Sequence, residues 1–413
     1  MGNESTPDHD HEERRRSGFK RRTRVDDARE RLLAAATPHE RTTALPLASA
    51  DGRALAGPVA APRPVPGYER AAMDGYAVRA SDTFGASDRS PAVLRVGEAA
   101  TPGTAVRVHT GSDLPDSADA VVMIEHIERV GDEVEVFDAV AEGENVGPVG
   151  EDVADGQHLY DPGHRLRPSD LGLLKSVGID EVEVYDRPSV GVVPTGEELV
   201  QRAPGPGEVV ETNGLTVSHL VERWGGAATY RDVVSDNREE IRVAIQRDLT
   251  KDVVVTTGGS SVGERDLTPE VVDELGDLLV HGVALKPGHP VALGVVEGTP
   301  VVMLPGYPVA CIVNAVQFLR PLLKHLGHLP ADPPPAREAT LTRKVSSSPG
   351  TRTFVRVRTE AGDDGLEAEP TRASGSGVLS SVALADGWVV VPEGLEGYDA
   401  GATVAVEDWE WSA

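Results

Sequence analysis

Residues 252–270 read DVVVTTGGSSVGERDLTPE, and the reading of this stretch decides the fold. Val253, Val254, Val255 and Thr256 form a β-branched apolar run too short for a helix, the pattern of a strand buried on both faces of a parallel sheet. Gly258, Gly259 and Gly263 then supply positions where the backbone can take positive φ or approach a ligand closely, and Ser260 and Ser261 add hydroxyl donors. Thr268 as N-cap and Pro269 as first helical residue predict a helix through Glu270, Val271, Val272, Leu275 and Leu278. The order strand, glycine loop, helix places unpaired backbone N–H groups at the carboxyl edge of a sheet, where anions such as phosphate are favoured.

Glu264 and Asp266 lie inside that loop. Carboxylates repel phosphate, so their presence in an anion-binding loop points to a divalent cation or to proton transfer, with solvated loop charges as the alternative. Gly259 to Gly263 also fits G-x-S-x-G, the nucleophile elbow of hydrolases, which would make Ser261 a nucleophile. In that elbow the serine lies directly between strand and helix. Here Glu264 to Leu267 intervene and Gly258-Gly259 widens the turn, which disfavours the elbow.

Outward from this stretch, 413 residues exceed what one core supports, and two to four domains are expected. A net charge of -27 argues against nucleic acid or an anionic membrane as partner. Lysine is scarce relative to arginine, the surface chemistry of a salt-adapted cell. With Cys311 the single cysteine, an intrachain disulfide and a thiolate metal cluster are excluded, and a reducing cytoplasm is expected. Arg14 to Arg16 and Lys20 to Arg22 are not followed by an apolar segment, so residues 1–24 are predicted to be a disordered polar extension rather than a signal. No run reaches the eighteen or so apolar residues that span a bilayer.

Taken in order, VDDARERLLAAA from Val25 predicts a helix, and 25–60 with 150–185 an elongated linker domain. Residues 61–149 read as an inserted β-rich domain, with strands in VLRVGEA, TAVRVHTG, DAVVMIEHIERV and GDEVEVFDAV. RLRPSDLGLLKSV is a helix capped at Ser169 or Asp170. Residues 186–330 alternate strand and helix: SVGVVPTGEEL, then NGLTVSHLVERW closed by Gly225-Gly226, then AATYRDVV, then a helix opened by Asp236 with Glu239 as capping box. VALKPGHPVALGVV predicts a hairpin turned at Pro287-Gly288, PVVMLPG a buried strand ending at Pro305-Gly306, and Pro308 opens an apolar helix. Beyond Pro333-Pro334-Pro335, residues 335–413 are five short strands of a small barrel or sandwich. The fold class is therefore multidomain α/β and β, with a central doubly wound α/β domain, a β-rich N-terminal half and a C-terminal β-barrel.

The combined set AAMDGYAVR, HTGSDLP, ADAVVMIE, VGEDV, PTGEEL, TTGGSSVGERD, LKPGHP, LPGYPV and ASGSGVLSS resembles the molybdopterin molybdenumtransferase family, from about Val25 to the end. The resemblance implies a central domain like the molybdopterin adenylyltransferase fold. It implies molybdate insertion into adenylylated molybdopterin with release of AMP, assisted by Mg²⁺ or another divalent cation. By position it assigns Asp266 and Glu198 to metal binding or pyrophosphate cleavage, with Asp236 as a neighbouring acid. Gly258, Gly259, Ser260, Ser261, Gly263, Thr195, Gly196, Pro305 and Gly306 would bind substrate. Lys286, His289, Arg356 and Ser376 would meet molybdate, since an oxyanion wants basic groups and hydroxyl or backbone donors. Asp74, Thr110 and Asp152 match positions that the family supplies from the partner subunit of a homodimer, and other proteins of cofactor synthesis are further expected partners.

Two departures fall where molybdate is expected. The family's KPGKP is KPGHP here, with His289 for a lysine, and LPGNPVS is LPGYPVA, with Tyr307 and Ala310 for an amide and a hydroxyl. The choice of oxyanion, molybdate or tungstate, is thus less constrained than the fold. Adenylyl transfer itself and a noncatalytic cofactor carrier or scaffold are the competing readings.

Overall fold

The computed structural model describes residues 22–258, 267–363, 365–371 and 375–411. Residues 1–21 of the expected extension, and the loop residues Gly259, Ser260, Ser261, Gly263, Glu264 and Asp266, lie outside them. At the near end of that extension Thr23 bridges Val283, so the ordered chain begins before Val25.

The central sheet has six strands in the spatial order Ala227–Tyr230, Ser189–Thr195, Val253–Gly258, Thr299–Leu304, Ala292–Val296 and Asp277–His281. The first four are mutually parallel, and Ala292–Val296 is antiparallel to both neighbours. Side chains alternate across a strand, and the apolar run at 253 explains why both faces are covered. Val253 and Val255 join one core with Val190, Val192, Val217 and Phe318, while Val254 joins the other with Ile241, Ile245, Val271 and Val272. The helices Asn213–Arg223 and Pro308–Asn314, the latter continued through Ala315–Leu319 to Leu326, take the first face. Arg238–Asp248 and Thr268–Leu275 take the second.

Four local expectations need correction. The helix from Thr268 stops at Leu275 rather than passing Leu278, because Gly276 breaks it where a Cβ would lie 2.1 Å from the Val295 carbonyl oxygen. Leu278 then belongs to an edge strand. Helix Arg238–Asp248 is capped by Asn237, whose side chain accepts from the Glu239 and Glu240 amides, not by Asp236. Helix Pro168–Ser176 has Arg167 at its N-cap, and Asp170 instead sits in the first turn with its carboxylate accepting from the Arg167 amide at 2.9 Å. The hairpin expected at Pro287-Gly288 pairs residues 277–281 with 292–296, but Leu285–Lys286 leaves it and pairs in parallel with Arg352 and Thr353.

The N-terminal half leaves and returns as antiparallel segments: Thr42–Pro46 with Glu181–Tyr185, Val59–Ala60 with His158–Tyr160, and Arg70–Ala71 with Val146–Gly147. Between outgoing and returning chains lies a six-stranded sheet from Gly75 to Val136, with its own core around Tyr76, Leu94, Val122 and Val134. Helix Val25–Ala34, expected with the linker, instead packs Val25, Ala28 and Leu32 into the main core of the α/β unit. The C-terminal strands Arg352–Gly362, Gly365–Pro370, Ala336–Leu341, Thr403–Glu407 and Gly387–Val391 pair in a ring that closes between the first and the last, which makes a five-stranded barrel.

Candidate active site

The parallel strands deliver their connecting loops to one edge. Thr195 and Gly258 are register partners there, and a Cβ on Gly258, whose φ is +146°, would lie 1.8 Å from the Thr195 carbonyl oxygen. The residue must therefore be glycine for the strand ends to stay side by side. Thr195 Oγ1 and Thr257 Oγ1 are buried at this edge without a hydrogen-bond partner among the described residues, the arrangement of hydroxyls held ready for a ligand. Gly196 also has positive φ (+150°), and its missing side chain leaves room for the Glu198 carboxylate, within 2.9 Å of where a Cβ would stand.

Asp236 faces Glu198 and Glu197 across this loop. Burial first, then the charges of Glu198 and Glu197, raise its pKa, and a backbone hydrogen bond from Glu197 only partly opposes them. With Asn237 capping the following helix, Asp236 is not used by the backbone in that way. Glu198 and Asp236 are hard oxygen donors of the kind that would hold a divalent cation, which needs only one or two carboxylates when other oxygens complete its shell. Among the described residues no group of three or more His, Cys, Asp or Glu is arranged to hold a metal ion.

A cavity of about 610 Å³ lies next along the edge, between the α/β unit and the barrel. Lys286, His289, Arg356 and Ser376 all line it, with Pro305. Three constraints hold it open. The pairing of Lys286 with Thr353 fixes the KPGHP loop to the barrel strand that carries Arg356. Asn314 Nδ2 donates to the Gly288 carbonyl at 2.9 Å and to the Ala310 carbonyl at 2.8 Å. The Val309 amide donates to the Ser376 carbonyl at 2.9 Å. Arg356 is only 9% exposed, and that burial lowers its pKa without discharging it. Burial, reinforced by Arg22, lowers the pKa of His289, so it stands here as a neutral ring rather than the cation a lysine would be.

Tyr307 and Ala310 line the same cavity, so both sequence departures face it. Gly306 is tied to the upper part of the edge by Asn213 Nδ2, which donates to its carbonyl at 2.7 Å. Asp74 and Thr110 come together elsewhere, on the inserted sheet: Asp74 Oδ1 accepts from the Thr110 amide at 2.7 Å and hydroxyl at 2.9 Å, and these bonds hold its pKa low. Asp152 lies on the returning chain, where its amide donates to Val65. The sequence reading missed Asn213, Asn314 and Lys344, the last of which also lines the cavity. A buried amide inside the apolar run VACIVNAV is the signal that marks Asn314.

Residues 23–178 match the MoeA N-terminal region (domain I and II), 191–325 a probable molybdopterin binding domain, and 338–409 the MoeA C-terminal region (domain IV). The chain is 38% identical over 367 residues to a protein of Methanocaldococcus jannaschii provisionally assigned to molybdopterin biosynthesis, covering 86% of this chain and 89% of that one. It is 32% identical over 394 residues to the molybdopterin molybdenumtransferase of Haemophilus influenzae, covering 93% and 98%. This chain belongs to the MoeA family. A crystal structure of the MoeA molybdopterin biosynthesis protein of Pyrococcus horikoshii superposes with a TM-score of 0.81 at 35% identity, over 94% of this chain and 99% of that one. The MoeA architecture therefore runs through all three matched regions, barrel included.

Proposed function

We propose that this MoeA protein is a transferase of molybdenum cofactor biosynthesis that inserts molybdate into adenylylated molybdopterin, cleaving the adenylate and releasing AMP. One observation carries the reading: Lys286 from the α/β unit and Arg356 from the barrel line a single cavity beside the Thr195–Gly258 edge. Two fixed cations suit a tetrahedral dianion, and the neighbouring strand ends suit the phosphate groups of the dithiolene substrate.

In this scheme the loop after Gly258, with Thr195 and Gly196, holds the pyrophosphate. Lys286, Arg356 and Ser376 hold molybdate against the dithiolene, with His289 as a neutral neighbour. Glu198 and Asp236, with Asp266, would hold the divalent cation, which supplies charge neutralisation for the departing adenylate when bound. Asp74, Thr110 and Asp152 complete the cleft from the second subunit of a homodimer. The lone, buried Cys311 suits work in a reducing cytoplasm.

Purified protein incubated with adenylylated molybdopterin, Mg²⁺ and molybdate should release AMP and form active cofactor. AMP formation without ATP consumption separates this from adenylyl transfer. Absence of AMP with all three present overturns it.

A further inference from the structure

The cavity that Lys286 and Arg356 line is larger than an oxyanion needs. Five heavy atoms, at a water's share of about 30 Å³ each, fill roughly a quarter of its 610 Å³, which leaves room for an organic body. None of the described residues lining it is acidic, and beside the basic groups it carries an apolar set that includes Pro290, Pro305, Ala310 and Tyr307. Two aromatic rings stand among those residues. Phe354 is 1% exposed and packs its ring against Trp388 at 5.2 Å between centroids, so it belongs to the core. Tyr307 is 48% exposed. The chain around Tyr307 is held at three points: Asn213 donates to the Gly306 carbonyl at 2.7 Å, the Cys311 amide donates to the Tyr307 carbonyl at 2.8 Å, and the Val309 amide donates to the Ser376 carbonyl at 2.9 Å. Its ring rests against the barrel loop, where a Cβ on Gly377 would stand 3.4 Å from Cδ1 and 3.8 Å from Cε1. An anchored ring that lines a cavity and keeps much of its surface open suits a stacking platform, because a tyrosine side chain offers a large flat contact with few rotors to fix.

We infer that Tyr307 is the residue on which the flat pterin ring system of the substrate stacks, an inference that rests on the molybdopterin reading above. The residue before it is bonded to Asn213 of the α/β unit, and its own ring touches the barrel loop that carries Ser376, so a heterocycle stacked there is held on a support fixed from both domains. Stacking needs the ring and not the hydroxyl. The phenol oxygen is therefore dispensable and the aromatic face is not.

Equilibrium dialysis of the full chain against 6-hydroxymethylpterin, a pterin with neither phosphate nor dithiolene, tests the platform, with AMP and molybdate dialysed in parallel. The pterin should bind saturably. Tyr307→Leu, which keeps apolar bulk and removes the aromatic face, should weaken it by about tenfold, the loss of one ring stack, while Tyr307→Phe should hold it within about twofold. Molybdate and AMP binding and the melting temperature should be unchanged in both variants, since the ring is half exposed. Pterin binding that is equal in wild type and Tyr307→Leu, or a Tyr307→Leu loss that falls on AMP and spares the pterin, overturns the proposal, as does a wild type that takes up no pterin. The insertion reading fails separately: a wild type that binds pterin through Tyr307 yet releases no AMP from adenylylated molybdopterin overturns that reading and leaves the stacking intact. AMP release by a wild type whose Tyr307→Leu variant binds the pterin equally well overturns the stacking alone.

Discussion

Lys286 of the α/β unit and Thr353 of the barrel are parallel strand partners, next to the pair Leu285 and Arg352. Two residues of sheet thus set the distance between a lysine on one domain and Arg356, three positions further along the other strand. The cavity's basic groups are positioned by backbone hydrogen bonds rather than by flexible side chains alone.

Loss of either cation should therefore act on molybdate rather than on folding. Lys286→Met and Arg356→Met are each expected to lower kcat/KM for molybdate by about 100-fold, the equivalent of one strong charge-assisted interaction of about 3 kcal/mol. Steady-state kinetics with molybdate varied should show the loss, with circular dichroism unchanged. The double variant should lose less than the product of the two.

Gly288 has φ +109° and packs where a Cβ would lie 2.2 Å from Asn314 Nδ2. Gly288→Ala is expected to cost about 2–4 kcal/mol in thermal or urea unfolding, combining backbone strain with a displaced buried amide. Asn314→Ala should cost less stability, since it frees the loop without forcing a clash, and should lower turnover by loosening the KPGHP loop.

Asp236 has a raised pKa in the folded chain, so folding favours its protonated form. Its contribution is fully present below the ordinary carboxylate pKa and is lost as pH rises through the folded value. As a carboxylate beside Glu198 and Glu197, it works against stability. Asp236→Asn should raise the melting temperature at pH 7 but not at pH 4, while lowering turnover by about 10- to 100-fold. A variant that gains no stability at pH 7 would contradict the acid cluster.

Asp170 shows the opposite sign. Burial pushes its carboxyl up, but hydrogen bonds from Arg167 (guanidinium and amide), His164 and Tyr160 outweigh it and hold the pKa well below the usual range. Burial, then the charge of Asp170, pushes the Tyr160 hydroxyl up to about 12. Asp170→Ala should cost about 3 kcal/mol at neutral pH, as removal of one member of a buried network does. The penalty should shrink below about pH 4, where the carboxyl begins to protonate in the unfolded chain. Urea melts across pH 3 to 7 would check it.

The buried strands of the α/β unit were legible because Val253, Val254 and Val255 leave no polar face, and only a doubly covered sheet accepts them. The five barrel strands were legible by alternation, as in Thr403–Glu407. Boundaries failed where one contact outside the local window decided them: Gly276 against Val295, Asn237 taking the cap beside Asp236, and Leu285–Lys286 leaving its hairpin for a strand nearly seventy residues away. The cavity-lining set Lys286, His289, Arg356 and Ser376 came from family motifs, since nothing in the spacing of Lys286 and Arg356 announces that they share a cavity. Arg356 itself, one of three arginines on a strand, also fits an exposed charged surface in sequence terms, and only the barrel's docking buries it.

Arg352, whose side chain bonds both Asp26 on the first helix and Glu393 of the barrel, clasps the beginning of the chain to its end. During synthesis the opening helix must wait for the last seventy or so residues before it gains this partner. A nascent chain released early would carry the Thr195–Gly258 edge but lack Arg356 and Ser376, so premature termination leaves the cavity without the wall that the barrel supplies.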